Sequence, residues 1–253
     1  MEQAAKARAF RALHVKGDPL VLFNIWDAGS AVAVAAAGAR ALATGSWSVA
    51  AAHGFADGEG VPLAFALDNL RRITAATDLP VSLDFERGYG RDAAEVERSA
   101  AQAVEAGAIG VNIEDSLDGA LRPIAEQAER IAAVRRAADA AGVPLFINAR
   151  IDVFLQADPA THGPAQLAVA LERARAFADA GADGLFAPLL ADEALVEPLC
   201  AGTPLPVNLM AMPGLASPTR LGQLGVARIS HGPGPYRTVM RALQDAAAAA
   251  LAD

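Results

Sequence analysis

The chain has 253 residues, 53% of them hydrophobic and 20% charged, which is enough for one sizeable core and excludes a disordered or fibrous protein. A net charge of -8 with singly scattered basic residues excludes the electrostatic footprint of a nucleic-acid binder. The one cysteine, Cys200, forms no internal disulfide, no zinc-type Cys/His spacing occurs and no apolar run is long enough for a membrane span, so a cytoplasmic protein is expected.

In chain order, "MEQAAKARAFRALHVKGD" predicts a charged amphipathic helix without the apolar segment of a signal peptide. Short apolar or β-branched runs then predict eight strands, at about Leu20 to Trp26, Ala41 to Ser46, Val81 to Glu86, Gly110 to Glu114, Leu145 to Ile151, Gly184 to Leu189, Pro206 to Met210 and Ala227 to Ser230. Ala-rich helical stretches separate them. Several close on a glycine just before the next strand, as in "AAGARAL", "EAGAIGV", "AAGVPLF", "DAGADGL" and "QLGVARI", where glycine suits the residue past a helix end. Eight strand-then-helix units predict a (β/α)8 TIM barrel, one domain over residues 1–253. The last helix, Tyr236 to Leu251, places Val239, Leu243 and Ala246–Ala247 on one apolar face with Met240 beside it.

In such a barrel the active site lies at the strand C-termini, and alternation tells which side chains point inward. Strand one places Asn24 with Trp26, leaving Asp27 or Ser30 to cap the following helix. Strand two ends on Thr44, Ser46 and Ser48 and leads into a long loop with His53, Asp57 and Glu59. In "VSLDFERGYG", Ser82, Asp84 and Glu86 share a face opposite Val81, Leu83 and Phe85; two carboxylates ending an apolar strand call for a cation between them. Asn112 and Glu114 pair on strand four, Asn148, Arg150 and Asp152 on strand five, and Asn208 with Met210 on strand seven.

Asp84, Glu86 and Glu114 together would suit Mg²⁺, a hard cation that takes a few carboxylate oxygens and keeps its waters; an ion-pair network with Arg150 or Arg87 is the alternative. Arg150 suits the bidentate capture of a substrate carboxylate, alongside or instead of a salt bridge to Glu114 or Asp152. The "TGSWS" turn offers backbone N–H groups and hydroxyls to an anionic oxygen. His53 is a loop residue that could transfer protons. His231, in "ISHGPGP", falls by parity on the helix-facing side unless the loop re-aims it. The "GPGPYR" turn alone would suit a phosphate, but no glycine-rich loop after strand seven accompanies it.

The segments "NIWDAGSA", "ATGSWS", "HGFADGE", "SLDFERGYG", "VNIEDS" and "INARIDVF", in this order, resemble the isocitrate lyase/phosphoenolpyruvate mutase superfamily over about Leu20 to Met240. The resemblance implies a (β/α)8 barrel, commonly a tetramer with an exchanged C-terminal helix, binding Mg²⁺ or Mn²⁺ and a 2-oxo carboxylate or its enolate. By motif position, Asp57, Asp84, Glu86 and Glu114 match the acidic metal shell. Ser46, Trp47 and Arg150 match the carboxylate and oxyanion contacts, and Asn208 a substrate-facing amide.

Two departures stand out. The family's Asp-x-Asp is Asp84-Phe85-Glu86 here, so the second carboxylate reaches one methylene further. The Lys-Cys-Gly-His loop of the lyases is missing after Glu114, where "EDSLDGALRPIAEQ" reaches the next helix almost at once. The expected function is Mg²⁺-dependent cleavage of a C–C bond, by decarboxylation or retro-aldol cleavage, in a small 2-oxo or 2-hydroxy carboxylate, leaving a pyruvate-like enolate that His53, His231 or a metal-bound water protonates, with Arg150 and Glu114 also among the expected catalytic residues. Phosphonate P–C chemistry and a non-catalytic 2-oxo acid binder are the alternatives. The expected partners are the small acid and further copies of the chain, as a dimer or tetramer.

Overall fold

The computed structural model describes residues 2–252. Eight parallel strands run Leu20–Leu22, Leu42–Ala43, Val81–Asp84, Gly110–Glu114, Phe146–Arg150, Gly184–Ala187, Val207–Met210 and Val226–Ser230, in the spatial order one, eight, seven, six, five, four, three, two. The two end strands meet through a parallel bridge between Ile25 and Thr44, where the Ile25 amide donates to Ala43 at 2.9 Å and the Gly45 amide to Ile25 at 3.1 Å. The sheet thereby closes into the (β/α)8 barrel, with all eight strands where the apolar runs place them. Gly38, Gly107, Gly142, Gly181 and Gly225, the glycine just past the helix in each of the five helix-to-strand segments, all adopt positive φ, the conformation that ends a helix without a Cβ penalty.

The N-terminal helix Gln3–Ala12 closes the bottom of the barrel, with Phe10 and, just beyond the helix, His14 packed on Phe146. Strand four begins on glycine for this reason: a Cβ at Gly110 would lie 3.0 Å from the Phe146 carbonyl and 3.1 Å from the Phe10 ring. Above this aromatic plug the interior is polar, and Ser82, Asn112, Asn148, Asn208, Arg228 and Ser230 are all buried. Asn148 donates to Asn112 at 2.9 Å, Ser230 to Asn208 at 3.2 Å and Arg228 to Ser230 at 3.1 Å, so the layers below the rim are tied by hydrogen bonds as well as packing.

Two stretches depart from the sequence reading. The region after strand two is a helix, Ser46–His53, where a loop is expected, and a second helix, Leu63–Ala75, precedes strand three. The segment after strand four folds into a small antiparallel hairpin, Ser116–Leu117 against Ala120–Leu121. The terminal helix Gly234–Leu251 does not pack along its own barrel: every described residue from Arg237 onward is exposed. The outer surface it would cover shows Val21 and Phe23 each 43% exposed. Among the described residues no helix is long and apolar enough to cross a membrane.

Candidate active site

At the C-terminal rim lies a cavity of about 240 Å³, lined by residues that follow or end most of the barrel strands. Asp84 ends strand three at its floor. Its Oδ2 accepts the Ser46 amide at 2.9 Å, and its own amide donates to the Thr44 hydroxyl at 2.8 Å. The helix Ser46–His53 therefore aims its positive end at a carboxylate, which explains why "TGS" turns into a helix here. Trp47 and Ser48 line the same cavity, and their amides belong to the first turn, which has no carbonyls of its own to bond.

Arg150 ends strand five and also lines the cavity. Its Nε and Nη2 donate to the two oxygens of Asp152 at 2.6 and 3.1 Å, and Nη1 meets Glu114 at 2.7 Å. Burial works against its charge, but Glu114 and Asp152 more than offset this and raise its pKa. Two of its five N–H groups thus donate to Asp152, Glu114 is held as an ion pair, and donor capacity is left for a ligand. Behind this group, Asp115 accepts the Asp152 amide at 2.8 Å and pairs with the buried Arg173 at 2.9 Å, which fixes the turn after strand five.

The acidic rim is less convergent than strand alternation predicts. Glu86 sits at φ 46°, a left-handed conformation that swings its carboxylate out of line with Asp84. One oxygen accepts the Tyr89 hydroxyl at 2.8 Å and the other the Glu59 amide, while the Tyr89 amide donates to Glu59 at 2.7 Å. Glu59 and Tyr89 are themselves left-handed, so three strained residues latch the loop that carries Asp57 onto the turn after strand three. Asp57 lines the cavity; its carboxyl is raised by partial burial and then by the Asp84 charge. Burial first, with Asp84 adding to it, pushes the Glu86 carboxyl up to about 7. Glu114 is likewise raised to about 7 by burial, against the pull of Arg150.

Of the residues singled out from the sequence, Ser46, Trp47, Asp57, Asp84 and Arg150 line one cavity. Glu86 and Glu114 lie just outside it, each bonded to protein groups, so the three carboxylates of strands three and four do not meet at one point. Asn208 is buried one layer below, accepting from Ser230, and Asn112 lines the cavity in its place. His53 is an exposed residue at the far end of its helix, with its ring edge on Phe65 at 4.8 Å, so the helix itself carries it away from the rim. His231 tilts against Phe23 at 5.0 Å on the outside of the barrel, the side that strict alternation assigns to it. Sequence reading passed over Arg228, fully buried under the floor and without a carboxylate partner, although its parity with Ser230 marks it as inward. It also passed over Leu155, Phe186 and Pro188, which build one wall of the cavity.

Among the described residues no three His, Cys, Asp or Glu side chains are gathered as direct ligands of one ion. The donors present nevertheless suit Mg²⁺, which binds through one or two carboxylates and keeps several waters. Asp84 has one oxygen without a protein donor, and its charge is felt by Asp57, Glu86 and Glu114, a like-charge crowding that a cation relieves.

The family model described as phosphoenolpyruvate phosphomutase matches residues 10–251. An uncharacterized protein of Mycobacterium tuberculosis (strain ATCC 25618 / H37Rv) is 36% identical over 247 residues, 95% of this chain and 88% of that one. The 2-methylisocitrate lyase of Escherichia coli (strain K12) is 32% identical over 216 residues, 82% of this chain and 70% of the relative. A crystal structure from Burkholderia cenocepacia J2315, of a protein provisionally assigned as a phosphonomutase, superposes with a TM-score of 0.94 at 53% identity, covering 96% of this chain and 98% of that one. With the barrel closed and its acidic rim in place, the chain belongs to the isocitrate lyase/phosphoenolpyruvate mutase superfamily.

Proposed function

We propose that the protein is an enzyme that cleaves a C–C bond in a small 2-oxo or 2-hydroxy carboxylate, with a divalent cation, Mg²⁺ or Mn²⁺, held at Asp84. The observation that carries this reading is the pairing, in one 240 Å³ cavity, of a carboxylate that has an oxygen without a protein donor and an arginine with donor capacity to spare. The cation, bound by Asp84 and through water by Asp57, Glu86 and Glu114, would supply the positive charge that a developing enolate requires. Arg150 orients the substrate carboxylate, and Asp152 and Glu114 hold the guanidinium in place for that purpose. The amides of Trp47 and Ser48, in the first turn of the helix that lines the cavity, would meet further negative charge there. With both histidines outside the cavity, the enolate takes its proton from water entering at the open rim.

The alternative of phosphonate chemistry draws on the family model and on the Burkholderia relative, but a phosphonate asks for more donors than one partly engaged arginine. Assays of pyruvate release from a panel of oxo acids, with Mg²⁺ and with a chelator, test the reading. Metal-dependent release supports it, and binding without turnover of any substrate would favour the non-catalytic binder instead.

The assembly proposed is a homo-oligomer in which the terminal helix reaches a neighbouring copy. Its apolar residues Val239, Met240 and Leu243 are exposed, and a groove of about 740 Å³ on the barrel wall, lined by Val21, Phe23, Trp26 and Val34, lies open where an eighth helix would pack. The buried, unpaired Cys200 is in keeping with a cytoplasmic location.

A further inference from the structure

The cavity has two unlike sides. Asp57, Asp84 and the entry to the Ser46 helix belong to strands two and three, whereas Leu155, Phe186, Pro188 and Met210 follow or end strands five, six and seven, on the opposite side of the barrel. Arg150 stands at the edge between them, with Trp47 across the mouth. Among the described residues no second cation lines the cavity: Arg237 stacks on the Trp47 ring at 4.5 Å but does not line the space, and Arg228 lies sealed below the floor. Arg150 is already matched by Glu114 and Asp152.

From this asymmetry we infer that the substrate carries a single carboxylate, at its 2-oxo end, and a neutral apolar substituent on the carbon that departs. The inference rests on the proposed function and narrows it. Phe186, Pro188 and Met210 offer no side-chain donor, the Ser230 hydroxyl is spent on Asn208, and the Asn112 amide is neutral, so a second carboxylate or a phosphonate would be desolvated on that side without a charged partner, a larger loss than any contact there returns. An alkyl group gains on burial. Of the two C–C cleavages open to such a site, decarboxylation needs a departing carboxylate, so the wall selects retro-aldol cleavage of a 4-hydroxy-2-oxo acid. There the C3–C4 bond breaks and its electron pair stays on C3 as the enolate of pyruvate. The C4 hydroxyl gives up its proton to water at the open rim as the departing fragment becomes an aldehyde, and water returns one proton to C3. The products are pyruvate and an apolar aldehyde, with no net change in oxidation state.

The test is calorimetry on the full-length protein with Mg²⁺, using oxalate and the matched pair 2-oxopentanoate and 2-oxoglutarate, which differ by a methyl in place of a carboxylate. Oxalate binding checks the underlying reading, and its failure would overturn that reading and this inference together. Given oxalate binding, 2-oxopentanoate should bind at least tenfold tighter than 2-oxoglutarate, with about fourfold gained per methylene from pyruvate upward. Equal or tighter binding of 2-oxoglutarate would overturn the inference alone. Leu155→Arg, at a position 40% exposed and therefore tolerant of the change, should narrow or reverse the preference, and an unchanged ratio would count against the wall as its source. Pyruvate release should have a higher kcat/KM with 4-hydroxy-2-oxohexanoate than with oxaloacetate; the opposite order would overturn the retro-aldol assignment.

Discussion

Arg150→Lys separates binding from stability at the centre of the site. The guanidinium meets Asp152 through Nε at 2.6 Å and Nη2 at 3.1 Å and Glu114 through Nη1 at 2.7 Å, and Asp152 keeps only 1% of its side-chain surface exposed. A lysine ammonium reaches one of these carboxylates and leaves the other short of a partner. Losing one or two charge-assisted bonds, at about 1.5 to 3 kcal/mol each before the lysine recovers part of it, implies a stability loss of about 2 to 4 kcal/mol. A point charge also cannot present two coplanar N–H groups to a ligand carboxylate, so oxalate or pyruvate should bind about 1 to 3 kcal/mol more weakly, roughly 5- to 150-fold. Urea unfolding measures the first quantity and calorimetry with Mg²⁺ the second. A variant that loses stability yet binds oxalate with the wild-type dissociation constant would show that Arg150 only braces the fold.

Three further changes probe other parts of the structure. His14, whose buried Nε2 has no partner, has its pKa lowered to about 3 by burial and by Arg228. The folded state thus keeps the ring neutral while the unfolded chain protonates it, so stability is intact above about 6.5 and falls by up to ~1.4 kcal/mol per pH unit as pH drops toward 3. His14→Phe should flatten that part of the acid profile, and an unchanged slope would assign it to other groups. Truncation after Pro235 should leave a folded barrel, by circular dichroism, that sediments as a smaller species; an assembly of unchanged size would remove the helix from the interface. Tyr89→Phe withdraws the hydroxyl from Glu86 and should cost about 1 to 2 kcal/mol in urea unfolding, whereas wild-type stability would mean the latch contributes nothing.

The barrel was legible because its signals are local: each strand is a short apolar run, and the helix ends that precede them carry a glycine, as Gly107 and Gly181 do with φ near 100°. The site was legible only as far as strand alternation persists. Asp84 and Arg150 are the last residues of regular strands and point where parity directs them. Glu86 lies two residues past the end of its strand, and its positive φ, unusual for a residue with a Cβ, cannot be read from composition. His53 was misplaced because "SWSVAAAH" lacks a side-chain cap; what starts that helix is the distant Asp84 carboxylate. The apolar wall was missed because Leu155 sits on a four-residue helix, Val153–Gln156, and Pro188 in the turn after strand six, both too short for hydrophobic residues to carry a periodic signal.

Calorimetric titration of oxalate into the full-length protein, with Mg²⁺ and with a chelator, for the wild type and for Asp84→Asn, tests most directly the claim that Asp84 holds a cation for an oxo acid. The wild type should bind oxalate with Mg²⁺ and not with chelator, and Asp84→Asn should lose both Mg²⁺ affinity and metal-dependent oxalate binding while remaining folded. Oxalate binding that is indifferent to Mg²⁺, or Mg²⁺ affinity that survives in Asp84→Asn, would contradict it.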